Sequence, residues 1–175
     1  MNRFCTPLLT IPLLLAGCMG MPKGVEPVDD FELDRYLGKW HEIARLDHTF
    51  ERGLERVTAE YSLREDGGVR VVNRGYSTKK NAWNEAEGKA YFVEHENLGY
   101  LKVSFFGPFY GSYVIFELEE SGYEYAFISG PDTSYLWLLA REPSVDQPVM
   151  DHFLARAEEL DFDLDDLIIV NQQSD

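Results

Sequence analysis

Side chains able to move a proton, hold a metal or attack an acyl group are few in this chain of 175 residues, and they are badly spaced for it. The four histidines, His41, His48, His95 and His152, fall in separate segments and form none of the common metal-ligand patterns. Both cysteines, Cys5 and Cys18, lie in the first eighteen residues. The rest of the chain therefore has no disulfide, no thiolate zinc site and no thiol nucleophile. A Gly-x-Ser-x-Gly nucleophile elbow is also missing. A Ser–His site assembled from distant strands stays open. Otherwise no catalytic residue, no metal and no cofactor is assigned. The most distinctive local feature is Gly38-Lys-Trp-His-Glu-Ile-Ala-Arg45, where the largest side chain stands just behind a glycine and ahead of a strand-like run.

Composition narrows the partners. Acidic residues number 31 and basic ones 16, for a net charge of −15. Phosphate backbones require the opposite excess, so nucleic acid is excluded as a partner. Simple electrostatic adhesion to anionic lipid is disfavoured as well. Aromatic residues make up 14%, including ten Tyr and eleven Phe, which implies something large and apolar to line or fill.

The elements that must position these residues begin after an address. One Arg precedes an apolar run from Pro7 to Leu15. That run is too short to span a bilayer, which takes about 20 apolar residues, and fits a secretory h-region. Leu15-Ala-Gly-Cys18 resembles the bacterial lipobox, which implies cleavage before Cys18 and lipidation of it. Residues 1–17 are thus read as a lipoprotein signal peptide and 18–30 as a lipidated tether, with 31–175 as the folded domain. Gly20, Pro22, Gly24 and Pro27 make the tether look flexible. Met19, where the sorting pattern uses Asp for inner-membrane retention, resembles an outer-membrane address, with anchorage at the periplasmic face.

From Trp40 the chain reads as short strands separated by turns. Val57–Arg64 alternates apolar and polar residues throughout, as a half-buried strand does, and Glu65-Asp-Gly-Gly68 follows as a hairpin turn. Further strands are expected at 40–46, 69–76, 85–93, 99–106, 112–119, 123–129 and 135–141. Their short connections imply antiparallel neighbours. Val149, Met150, Phe153, Leu154 and Ala157 then switch to helical spacing, with Ser144 or Gln147 as candidate caps, and Leu167–Val170 is a last short strand. The expectation is an all-β fold: an eight-stranded antiparallel up-and-down barrel with a C-terminal α-helix and a short final strand. Closure removes sheet edges that would otherwise aggregate.

Gly38-x-Trp40 at the entrance to the first strand resembles the lipocalin signature. "YLGKWHEIARLDHTFERGLERVTAEYSL", "EGKAYF", "LKVSFFGPFYG" and "GPDTSYLWLLAR" are similar to bacterial lipocalins, outer-membrane lipoproteins related to apolipoprotein D. The resemblance implies that Trp40 plugs the closed end of the barrel and that Arg141 packs across its face, with Gly38 permitting close backbone approach. It also implies a cavity above the plug.

Residues two apart on a strand share a face. Taking Arg141 as inward gives Tyr135, Trp137 and Leu139. Comparable choices on other strands give Ala59 and Tyr61, Val71 and Asn73, Ala90, Val103 and Phe105, and Val114 and Phe116 as ligand-binding residues. Small residues at Ala86, Gly88 and Ala90 are expected to make room. Parity on the first and seventh strands stays open. The resemblance implies a lipid-binding carrier of fatty acids or lysophospholipids, serving envelope maintenance or lipid salvage. An enzyme acting on a lipid in the cavity, or a ligand-free interaction module, remains an alternative. Some relatives form dimers, and the 47–56 loop is a candidate contact for a homodimer.

Overall fold

The computed structural model describes residues 19–173. The expected signal peptide and Cys18 therefore lie outside the described residues. A single turn, α1 (Leu33–Tyr36), precedes β1 (Gly38–Arg45), β2 (Leu54–Leu63), β3 (Val69–Ser77), β4 (Ala82–Phe92), β5 (Tyr100–Ser104), β6 (Gly111–Leu118), β7 (Tyr125–Ser129) and β8 (Leu136–Ala140). Helix α2 (Gln147–Glu159) and β9 (Ile168–Ile169) follow. Each strand from β2 to β8 pairs antiparallel with the next. Strand β1 closes the ring. Its first half faces β2, with Trp40 opposite Ala59, and its second faces β8, with Arg45 opposite Trp137. Strand β9 is added outside, on β1. The eight-stranded barrel is thus the expected one.

Alternation fixes each strand's register where only one face is covered. In β2, Val57, Ala59 and Tyr61 are buried while Glu60 is exposed. The β2–β3 turn is built as expected: Gly67 takes a φ of +80°, and Asp66 accepts from the Gly68 amide at 3.1 Å. Two hydrophobic clusters result. One fills the barrel around Trp40, Tyr36, Ile115 and Ile128. The other lies outside it, where Phe153 and Ala157 of α2 pack on Val114, Phe116, Phe127 and Leu138. Asp146 caps α2 through its extended backbone without a side-chain bond, in place of Ser144 or Gln147, and proline occupies the first turn, where no donor is needed.

The segment before the barrel differs from the free tether expected. It runs down the outside of β6. The Gly20 amide donates to Ser112 Oγ at 2.9 Å, the Val28 amide to the Ile115 carbonyl at 2.9 Å, and the Phe31 amide to the Asn97 carbonyl at 2.9 Å. Val25 is buried against the outer cluster. Gly and Pro rule out a regular element here, but they do not prevent docking through backbone bonds and the intervening Met21, Val25 and Val28.

Candidate functional site

Strand direction gives the barrel two unlike ends. The base carries the start of β1 and the turns at 64–68, 93–99 and 119–124. The mouth carries the loops at 46–53, 78–81, 105–110 and 130–135.

At the base, Trp40 is fully buried. The Arg141 guanidinium carbon lies 3.9 Å from its ring centroid, and Tyr36 packs on it at 4.7 Å. Trp40 Nε1 donates to the Tyr36 carbonyl at 2.8 Å. Arg141 donates to the carbonyls of Arg35, Leu37, Lys39 and Tyr123 at 2.6–3.2 Å, which draws the N-terminal turn, β1 and the β6–β7 turn together. Gly38 is needed for its φ of +93°, which side chains rarely adopt; the space beside it is ordinary, 3.6 Å to Arg141 Nη1 from where a Cβ would stand. Close approach is therefore not its reason.

Above the base the interior holds two chambers. The first, of about 60 Å³, runs from Tyr36 and Val69 at the base to Phe105 near the mouth, past Val71, Ala90 and Val103. The second, of about 50 Å³, lies along β1, β2 and β8 between Glu42, Glu51, Ala59 and Trp137. At roughly 15 Å³ per water, each has room for only a few waters. Tyr61, Asn73 and Tyr113 line both chambers. Tyr113 exchanges hydroxyl hydrogen bonds with Tyr36 at 2.7 Å and with Tyr61 at 2.8 Å. Burial pushes all three phenols up, so they remain neutral. Asn73 Oδ1 is buried and accepts no hydrogen bond from the described residues.

The second chamber is charged. Arg45 Nη1 meets Glu42 Oε1 at 2.6 Å, and its Nη2 donates to the Glu51 carbonyl at 2.9 Å. Trp137 Nε1 donates to Glu51 Oε2 at 3.2 Å. Burial raises the Glu42 carboxyl well above the carboxylate range, and the neighbouring Glu51 raises it further against the pull of Arg45. Burial raises Glu51 too, opposed by its bond from Trp137 and by Arg45. His48 stacks on Phe50 at 4.4 Å and packs at a tilt against Trp137 at 4.9 Å. Burial, then Arg45, lowers it to about 4, so the imidazole is neutral beside Glu51.

Eight of the eleven residues expected to line the interior do so: Ala59, Tyr61, Val71, Asn73, Ala90, Val103, Phe105 and Trp137. Val114 and Phe116 do not. They face outward, Phe116 stacking on Phe162 at 6.3 Å, while Tyr113 and Ile115 point in. Helix α2 buries the outer face of β6 as deeply as the interior buries the inner one, so Tyr113–Phe116 is apolar at both parities. Tyr135 lies outside both chambers. It precedes β8 in a loop closed by Gly130, and stacks on His48 at the mouth at 5.6 Å. Room expected at Gly88 is taken by Phe105, whose ring would lie 2.8 Å from an added Cβ. Sequence reasoning missed Tyr36, Tyr113, Glu42 and Glu51. A glutamate at the fifth place of β1, directly ahead of Ile43-Ala44, was the available signal for Glu42. No cluster of metal-ligating side chains occurs among the described residues.

Comparison with known proteins agrees with this geometry. A lipocalin-like domain model matches residues 31–172. Outer membrane lipoprotein Blc of Vibrio cholerae is 61% identical over 166 residues, 95% of this chain and 97% of that protein. The protein of the same name from Escherichia coli K12 is 48% identical over 165 residues, 93% of each. Insecticyanin of the tobacco hornworm superposes with a TM-score of 0.70 at 24% identity over 89% of this chain and 88% of its own, a likeness of fold. With the model matched over most of its length and near relatives covering nearly all of it, the chain belongs to the lipocalin family.

Proposed function

We propose that the protein is a non-catalytic lipid carrier of the bacterial outer membrane, held at the periplasmic face by acyl groups on Cys18 after removal of residues 1–17. Its ligand is a single-chain lipid, a fatty acid or lysophospholipid, handled for envelope maintenance or salvage. The outer-membrane lipoprotein names of its relatives support the location. One observation carries the ligand class: an apolar chamber meets a polar one at a wall whose buried Asn73 Oδ1 has no partner among the described residues. An unpaired buried acceptor is costly, and a ligand hydroxyl or ammonium donor would satisfy it.

The tail belongs in the first chamber against Val71, Ala90 and Val103, where aliphatic burial contributes about 25 cal/mol per Å². The polar end belongs in the second. A carboxylate seated there would meet Glu51 and find both terminal nitrogens of Arg45 already used on Glu42 and the Glu51 carbonyl, with only the buried Nε left to donate. A zwitterionic head brings an ammonium that Glu51 can accept from beside its phosphate, which favours lysophospholipid over fatty acid. The chambers are narrow, so entry of a chain requires the Tyr61 and Tyr113 rings to shift. Protein purified gently and weighed intact should carry single-chain lipid, and lysophosphatidylethanolamine should displace a fluorescent fatty acid at lower concentration than oleate does. Protein that neither retains lipid nor takes up the fluorescent acid would end the proposal.

A further inference from the structure

We propose that the mouth of the barrel is a docking face for the lipid bilayer, so that the protein sits mouth-down on the membrane. Three observations converge on this rim. The first is apolar exposure. Phe106 is 80% exposed, Phe109 68%, Phe50 58%, Trp83 50% and Met19 39%, and all stand at the mouth end. Phe106 and Phe109 bracket one tight turn, closed by the Phe109 amide on the Phe106 carbonyl at 3.1 Å, so the two rings crown a single loop. Apolar side chains left bare together mark a contact surface.

The second is the course of the chain. Because 19–31 is bonded along β6, its upper end is fixed at the mouth, where the Gly20 amide meets Ser112 Oγ. Cys18 stands two residues earlier, a reach of at most about 7 Å at ~3.5 Å per residue. An anchor there brings the rim, and not the base, against the membrane. This step rests on the acylation proposed above; the other two do not.

The third is charge. The acidic excess disfavours adhesion to anionic lipid only if it is spread evenly, and it is not. Exposed acids crowd the base turns, at Glu65, Asp66, Glu94, Glu96, Glu120 and Glu124. At the rim, Lys79 and Lys80 are exposed on the β3–β4 loop, the 105–110 loop carries no charge and Asp47 is paired with Arg52, while exposed Asp132 in the 130–135 loop and Asp163, Asp165 and Asp166 ahead of β9 lie on the β7–β1 side of the ring. An anionic leaflet therefore meets least repulsion along the β3–β6 side of the rim, where the 78–81 and 105–110 loops stand, and most at the base turns. Docked this way, a lipid would pass between bilayer and chamber without crossing water.

The chain beyond Cys18 has no other cysteine, so a single introduced thiol reports one place. Acylated full-length protein bearing a nitroxide at Phe106→Cys or at Leu63→Cys, an exposed residue of the base end, is reconstituted into vesicles of phosphatidylethanolamine and phosphatidylglycerol. The label at 106 should be relaxed by lipid-soluble oxygen and shielded from an aqueous nickel chelate, and the label at 63 should behave oppositely. Equal nickel access at both positions, or a lipid-embedded label at 63, would overturn the proposal. In a second experiment, Phe106→Ser with Phe109→Ser should slow transfer of a fluorescent fatty acid from those vesicles several-fold and leave its affinity in solution unchanged. Unchanged transfer counts against docking. Loss of affinity in both the parent and the variant strikes at the carrier reading, while the label depths still decide the orientation.

Discussion

Replacing Arg141 tests whether the base of the barrel is held as its geometry implies. The guanidinium does two things. It covers the Trp40 ring at 3.9 Å, and it donates to four carbonyls from three separate segments. A cation over a desolvated indole is worth about 0.5–2 kcal/mol. Hydrogen bonds to a charged donor are worth about 1.5–3 kcal/mol each when buried and much less near solvent, where part of this set lies. Arg141→Met keeps the aliphatic stem, so its cost, about 3 kcal/mol, reads the guanidinium. Trp40→Ala removes a fully buried ring and should cost about 3–5 kcal/mol. The double variant should be less damaging than the sum of the two by about 0.5–2 kcal/mol, because each single change already loses the ring–cation contact. Urea melts followed by far-ultraviolet circular dichroism supply all four corners, with an unchanged m value as the check that the same surface unfolds. Additive costs to within about 0.3 kcal/mol would refute the coupling. Arg141→Met costing less than about 1 kcal/mol would refute the clasp.

The interior offers three more tests. Val103→Phe, aimed into the first chamber, should weaken fluorescent fatty acid binding at least about tenfold at a stability cost of about 1–3 kcal/mol, whereas Phe116→Ala, under the helix, should cost about 3–5 kcal/mol with affinity unchanged; the reverse pattern would contradict the parity of β6. Asn73→Leu removes an unpartnered buried acceptor, so denaturation should find stability unchanged or raised, while lysophospholipid affinity falls about tenfold. His48 falls from 6.5 to about 4 on folding, so the unfolded chain takes up its proton first and stability declines as pH drops through that interval. The shift corresponds to at most ~3 kcal/mol, and to roughly half of that once solvent at the rim screens it. The raised Glu42 and Glu51 act in the opposite sense, adding stability at low pH that is lost as pH rises. His48→Gln should therefore flatten the acid limb between pH 6.5 and 4, and parallel limbs in parent and variant would reject the assignment.

Legibility followed how many faces of each strand are buried. Strands β2 and β3 are buried on one face over most of their length, and the periodicity of Ala59–Tyr61 and Val71–Asn73 placed those residues correctly. Strand β6 lies between the interior and α2, so no period of two survives and Val114 and Phe116 went to the wrong side. Glu42 was obscured for a different reason. A buried carboxyl in an apolar strand contradicts its own residue type, and only Arg45, three residues on and on the same strand, makes it tolerable. Tyr36 and Glu51 come from a single helical turn and a loop, where periodicity has nothing to say.

The two ends of the barrel also differ in how well their polar groups are satisfied, and the difference follows function. At the base, Trp40 Nε1 and the donors of Arg141 all find carbonyls. The buried side-chain atoms left without hydrogen-bond partners among the described residues are Arg45 Nε, both His48 nitrogens (Nδ1 lies 3.3 Å from Glu51 Oε2), Arg56 Nε, Asn73 Oδ1, Ser104 Oγ and Ser129 Oγ. Arg45, Ser104 and Ser129 end strands at the mouth, Arg56 lies in the first turn of β2 from it, His48 is in a mouth loop, and Asn73 lines the chambers. Frustration of this kind costs stability wherever it occurs, so chance would scatter it over both ends. Ser104 and Ser129 share the outward parity of Tyr100 and Phe127, and Arg56 lies over Tyr76 and Trp83, so it is Asn73, Arg45 and His48 whose unpaired atoms a polar head entering at the mouth could satisfy. The strain at the mouth is tolerable because the indole and guanidinium at the base keep the ring of strands closed beneath it.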